Sequence, residues 1–294
     1  MEPKRISVEF PKTIMAVGDA WPLLLGYSAL ALLAIPTLAR ESWSGETGAH
    51  GPLILIVAGW LFWRQLPSIR KEAAPGSLWL VALVAGLSLA MYIFGEAFDF
   101  ITLIAAGLYG VGVAIFYANY GFRALRRNWF IFLFLLFAVP PPSIWVDEFT
   151  APLKQFVSTC ATSFLQLFDL PVTHEGVVIY VAQYQLLVED ACSGLNSIIG
   201  LLAITLLYIY LMRGSSWRYA LALTAMAVPV AIAANIARIV ILILLTYFAG
   251  NDVAQGFLHF AAGMFLFVAA LLLIFLIDST INTFRLRLGA RGAR

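Results

Sequence analysis

Charge is scarce in this sequence: Asp, Glu, Lys and Arg make up 12% of the 294 residues, while 62% are hydrophobic. A soluble domain carries about 25% charged residues, so this supply excludes a water-facing surface around a single core and calls for lipid. Cysteine and histidine are nearly as sparse, with two of the first and three of the second. Two cysteines exclude a disulfide framework and a Cys-based zinc site. No cluster of ligating residues asks for a metal, and nothing asks for an organic cofactor. The net charge of +2, dispersed in short clusters with no basic stripe, argues against nucleic acid as a partner. Internal repeats, low-complexity tracts and linkers are also missing, so the whole chain, 1–294, is expected to form one membrane domain.

Long apolar runs are what the sequence has in abundance. A span of a bilayer takes about 20 residues, and runs of that order begin near Trp21, Pro52, Leu78, Phe100, Asn128, Ser193, Trp217 and Phe257. The expected fold is therefore all-α and polytopic, with about eight transmembrane helices. The run from Trp21 to Leu38 exceeds a usual signal-peptide core and follows Lys4, Arg5 and Lys12, so it is taken as retained. Basic residues near spans resist translocation. Placing the N-terminus in the cytoplasm puts every Lys and Arg in or beside the cytoplasm except Arg40, Lys154 and Arg238. An even number of spans returns the C-terminus to the same side.

One hydrophilic excursion, about 140–191, then falls outside the cell membrane. Pro140-Pro141-Pro142 ends the fifth span. Leu153, Phe156, Val157, Cys160, Phe164 and Leu167 recur at helical spacing opposite Lys154, Gln155, Ser158, Thr159 and Thr162, which predicts a helix lying in the interface and roofing the bundle. From Val177 to Val188, β-branched and aromatic residues around Ala182-Gln183 predict a β-hairpin before the sixth span. His50 and His174 read as loop residues without a role.

Chemistry gathers at the ends of the last three spans. Cys192 immediately precedes the sixth, where unpaired N–H groups favour a thiolate, although Glu189 and Asp190 oppose it. Roughly twenty residues at ~1.5 Å each carry the seventh span from Trp217 to Arg238 and the outer interface. His259 lies two residues into the eighth. A nucleophile, a permanent cation and a titratable base in one layer suit peptidyl transfer, with Cys192 attacking, His259 moving the proton and Arg238 stabilising the oxyanion. Asn235, one helical turn from Arg238, is a supporting candidate. Each residue also has a plainer reading: Cys192 as a buried thiol or a disulfide partner of Cys160, Arg238 as an interfacial anchor, His259 as an interfacial or capping side chain.

Ala191-Cys192-Ser193-Gly194-Leu195, the segment Asn235-Ile236-Ala237-Arg238 and His259 resemble the exosortase/archaeosortase family, from about the fourth span to the eighth. The histidine makes the chain similar to the bacterial exosortase branch. Where known branches continue Ser-Gly-Leu-Arg after the cysteine, this chain has Asn196 in the last place. The resemblance implies a multi-pass enzyme of the bacterial inner membrane with its active site facing the periplasm. It implies a cysteine protease or transpeptidase with Cys192, Arg238 and His259 as catalytic residues, beside Ser193 and Asn196. Its implied substrates are secreted proteins ending in a motif such as Pro-Glu-Pro, a transmembrane helix and a basic tail. They would be passed to an unidentified surface acceptor, in a setting of exopolysaccharide export. A membrane transporter using Arg238 as an anion site and an assembly factor for polysaccharide export are the competing classes. The scarcity of charge at mid-membrane counts against transport.

Overall fold

The computed structural model describes residues 21–44, 48, 50–187, 194–213, 217–250 and 257–291; some side chains at helix ends, among them those of 194–197 and 257–264, lie outside the description. Nearly all of it is helical. The order is α1 (Trp21–Leu38, continued by a π-helical turn Ala39–Trp43), α2 (Gly51–Lys71), α3 (Leu78–Ala97), α4 (Ile101–Arg127), α5 (Trp129–Leu136) and α6 (Ser143–Gln166). Three strands follow, β1 (Val172–Glu175), β2 (Val178–Val181) and β3 (Tyr184–Leu187), then α7 (Gly194–Arg213), α8 (Trp217–Ala249) and α9 (Phe257–Arg291). Among the described residues, five helices are long and apolar enough to cross a membrane: Trp21–Trp43, Gly51–Lys71, Leu78–Ala97, Ile101–Arg127 and Tyr219–Ala249. Leu32, Ile56, Trp63 and Trp79 stand largely exposed on the first three, a surface that lipid accepts and water does not. The protein is a helical, multi-pass membrane protein.

Chain contacts gather into two compact units, 1–41 with 53–139 and 42–52 with 140–294. In the first, α3 and α4 pack closely because small residues leave room for backbone. A β-carbon on Gly107 would lie 2.6 Å from the Ser88 carbonyl oxygen, and one on Gly95 would lie 2.7 Å from the Ile104 nitrogen. Such small-residue seams replace the hydrophobic drive that is missing between helices in lipid. Near its end α4 breaks at Gly121, whose φ of 75° places it in the left-handed region. Ala74 and Gly76 cross beside the break and bond back to Tyr120 and Ala118, both at 3.3 Å. Glu72 pairs with Arg127 at the same end.

The run after Asn128, expected as a fifth span, is helical only over the eight residues Trp129–Leu136. At ~1.5 Å per residue that is about 12 Å, too short to cross a bilayer alone. Asn128 stands at the junction before this helix: it is buried, and its amide donates back to the Ala124 carbonyl at 2.8 Å.

The second unit has a cap and a bundle. In the cap, β1, β2 and β3 form an antiparallel meander with two-residue loops at Gly176-Val177 and Ala182-Gln183. Gly176 and Ala182 take φ values of 60° and 51°, the positive φ that tight loops on twisted strands require. The sheet has one strand more than the sequence suggests, because Val172-Thr173-His174-Glu175 is too short and polar to stand out. His174 is therefore a strand residue.

The cap buries part of the polar set of α6 and leaves much of its apolar set outward. Val157, Ser158, Ala161, Thr162 and Leu165 are buried, whereas Phe156, Phe164 and Leu167 are exposed. Ser158 and Thr162 afford burial because their hydroxyls donate to the carbonyls of Lys154 and Ser158, both at 2.8 Å, which removes the cost of hiding a donor. Val157, Ala161 and Leu165 then pack with Val172, Ile179, Val181 and Leu186 of the sheet and with Ile239 and Ile243 of α8. His174 pins sheet to helix, with Nε2 3.1 Å from the Thr159 hydroxyl and Nδ1 3.0 Å from that of Thr162. The bundle is built from α7, α8 and α9 around Leu201, Leu223, Ala227, Ala231, Ala270 and Ile274.

Candidate functional site

The helix α8 serves both halves of the second unit, and its length explains how. Thirty-three residues rise about 50 Å, well beyond the ~30 Å hydrocarbon core of a bilayer. One end belongs to the bundle core through Leu223, Ala227 and Ala231; the other belongs to the cap core through Ile239 and Ile243. Asn235 and Arg238 fall between the two clusters, one turn apart on one helix face. They are 5% and 7% exposed, so two polar side chains, one of them charged, are enclosed where an all-apolar seam would pack without cost.

Both side chains line a small cavity of about 20 Å³ that also touches Leu201 of α7 and Phe267 and Ala270 of α9. That volume accommodates a water molecule and is too small for a peptide or a lipid headgroup. The helices α7 and α9 adjoin here: a β-carbon on Gly200 would make an ordinary van der Waals contact with the Phe267 ring at 3.5 Å. The helix α8 continues past Arg238 through Ala249, about 16 Å further. The Arg238 cavity lies seven residues into α7 from Gly194 and eight residues along α9 from His259, about 10 to 12 Å of helical rise. An arginine side chain, with its head on a long flexible stem, can bridge part of that distance.

The other expected site residues are less completely placed. Cys192 and Ser193 lie outside the described residues; α7 begins at Gly194, two residues after Cys192. Asn196 belongs to the first turn of α7 and His259 to the first turn of α9, and their side chains lie outside the description. Thus Arg238 and Asn235 are brought to the meeting point of α7 and α9, the two helices on or beside which the remaining candidates lie in sequence. Cys160 carries a free, half-buried thiol on α6. Among the described residues no group of His, Cys, Asp or Glu is arranged to hold a metal ion.

Sequence reasoning missed two polar features of this unit. The His174 contact to Thr159 and Thr162 was hidden because the strand that carries it was not foreseen. Asp278 is 2% exposed and accepts a 2.7 Å bond from the Tyr208 hydroxyl, although its position after a long apolar run suggests a residue at the cytoplasmic surface. The signal available was its neighbours, Ile274, Phe275 and Ile277, which place it on a helix still in apolar surroundings.

No curated protein and no solved structure matches the chain. Residues 42–276 match the family of transmembrane exosortases, a stretch that contains α2 to α8, the cap and the larger part of α9, and with them Cys192, Asn235, Arg238 and His259. The chain belongs to the transmembrane exosortase family.

Proposed function

We propose that this protein is a membrane-embedded cysteine transpeptidase or protease that cleaves C-terminal sorting signals from secreted proteins at the periplasmic face of the inner membrane. Family membership supports a membrane transpeptidase role in general. The observation that carries the residue assignment is Arg238, a buried cation enclosed beside Asn235 where α7, α8 and α9 meet. Cys192 precedes the first of these helices by two residues and His259 lies in the first turn of the third.

In the proposed reaction the Cys192 thiolate attacks the carbonyl carbon of the scissile peptide, forming a C–S bond. Arg238 stabilises the oxyanion that develops. The C–N bond breaks as His259 supplies a proton to the departing amine, leaving a thioester. An acceptor amine or water then attacks the thioester and regenerates the thiol. Asn235 orients Arg238 or the substrate amide, and Ser193 and Asn196 border the nucleophile. The substrate's own transmembrane helix, held by its basic tail on the cytoplasmic side, presents the motif to this layer of the bundle.

The test is coexpression of a tagged reporter carrying a C-terminal sorting signal from the same genome, followed by gel shift. Processing by wild type and by Cys160→Ala, lost in Cys192→Ala, is the expected result. Equal processing by wild type and Cys192→Ala removes the thiol from the mechanism. It would favour a transport or assembly role.

A further inference from the structure

We propose that Tyr208 and Asp278 form a positioning clasp that fixes the register of α7 against α9, and through it the alignment of Cys192 with His259; the second half of this rests on the functional reading above. A carboxylate enclosed in an apolar helix is costly in lipid and demands a reason. Asp278 is 2% exposed, and its Oδ2 accepts the Tyr208 hydroxyl proton at 2.7 Å. The Tyr208 ring also lies against Phe275, one turn back on α9, with centroids 4.7 Å apart. Thus α7 grips α9 at two points one turn apart, one apolar and one directional.

The two helices run the same way: Gly200 and Leu201 meet Phe267, and further along both chains Tyr208 meets Phe275 and Asp278. No short loop joins a parallel pair, and in lipid no hydrophobic drive holds one apolar helix at a fixed height against another. A directional bond does. From the clasp, fourteen residues of α7 lead back to Gly194 and nineteen of α9 lead back to His259, about 21 and 28 Å of rise. Cys192 is two residues beyond Gly194, at most about 7 Å more of chain. Nucleophile and base are therefore separated from one fixed point by similar lengths of chain, sixteen and nineteen residues, and a slip there is transmitted along both helices. Asp278 lies just beyond the family match, which ends at residue 276.

Tyr208→Phe keeps the contact with Phe275 and removes only the hydrogen bond. One measurement does not depend on chemistry: the distance distribution between spin labels at Ser197→Cys and Ala262→Cys in the full chain carrying Cys160→Ala and Cys192→Ala. Adding Tyr208→Phe is expected to shift or broaden it by several ångströms, on the order of one helical turn, 5.4 Å. An unchanged distribution overturns the clasp. The second measurement is reporter processing with the active site intact. Tyr208→Phe is expected to lower kcat about tenfold to a hundredfold with KM within about twofold, and Asp278→Asn, which keeps an acceptor oxygen, to retain far more activity than Asp278→Leu. A fall in protein yield with unchanged kcat makes the pair merely structural and overturns the positioning role. A shifted distance in a chain whose wild type and Cys192→Ala process the reporter equally leaves the register claim standing and overturns the reading of Cys192 and His259.

Discussion

Arg238 and Asn235 are enclosed in an apolar bundle, and removing the guanidinium tests whether that arrangement serves chemistry. Loss of one oxyanion donor costs about a hundredfold in rate, roughly 3 kcal/mol, so Arg238→Ala is expected to slow reporter processing by about that factor. Arg238→Lys is expected to recover only part of it, because an ammonium lacks the planar fork of a guanidinium. Near-wild-type processing by Arg238→Ala takes the residue out of the reaction. At this scale the sequence was informative wherever one residue broke an apolar run: Arg238 was recognisable for that reason, and the enclosed cavity adds what it touches. Asp278 broke a run too, but so near the C-terminal basic cluster that it read as surface; its apolar neighbours were the signal, and the structure buries it against Tyr208.

Among the elements, the cap holds the clearest lesson. Helical spacing correctly announced a helix after the three prolines, but not that part of its polar face would be buried. The structure buries Ser158 and Thr162 and exposes Phe156 and Phe164, because hydroxyls satisfied by their own helix pack against the sheet while phenyl rings can face lipid. The loop at Ala182-Gln183 connects β2 to β3 as the turn residues suggest; β1 was illegible because four residues containing His and Glu carry no strand pattern. The His174 pin gives this element a measurable consequence. Thr159 and Thr162 also reach the carbonyls of Gln155 at 2.9 Å and Ser158 at 2.8 Å; a neutral imidazole donates to one hydroxyl through its N–H and accepts from the other at its bare nitrogen. His174→Ala removes both contacts at about 1 kcal/mol each. Amide exchange in 172–187 is expected to accelerate by roughly tenfold to thirtyfold in the variant, while the bundle residues of α8 keep their protection. Unchanged exchange in the sheet shows that the apolar contacts hold it alone.

For the whole molecule, composition settled the solvent and hydropathy found most of the helices, because burial in lipid writes itself into long apolar runs. What hydropathy could not show was that α8 joins two cores, or that the run after Asn128 folds into only two turns of helix. The joining of two cores depends on partners far away in sequence. Those partners also decide how the site is assembled: the cation sits where bundle core gives way to cap core, and the helices that adjoin it lead back to the thiol and the imidazole. The central claim is that Cys192 forms a covalent bond with the substrate. The most direct test is mass spectrometry of the protein trapped during reporter turnover, with and without hydroxylamine. The account predicts a hydroxylamine-labile adduct on Cys192, present in Cys160→Ala and absent in Cys192→Ala; processing that proceeds undiminished in Cys192→Ala, with no adduct on the wild-type thiol, would contradict it.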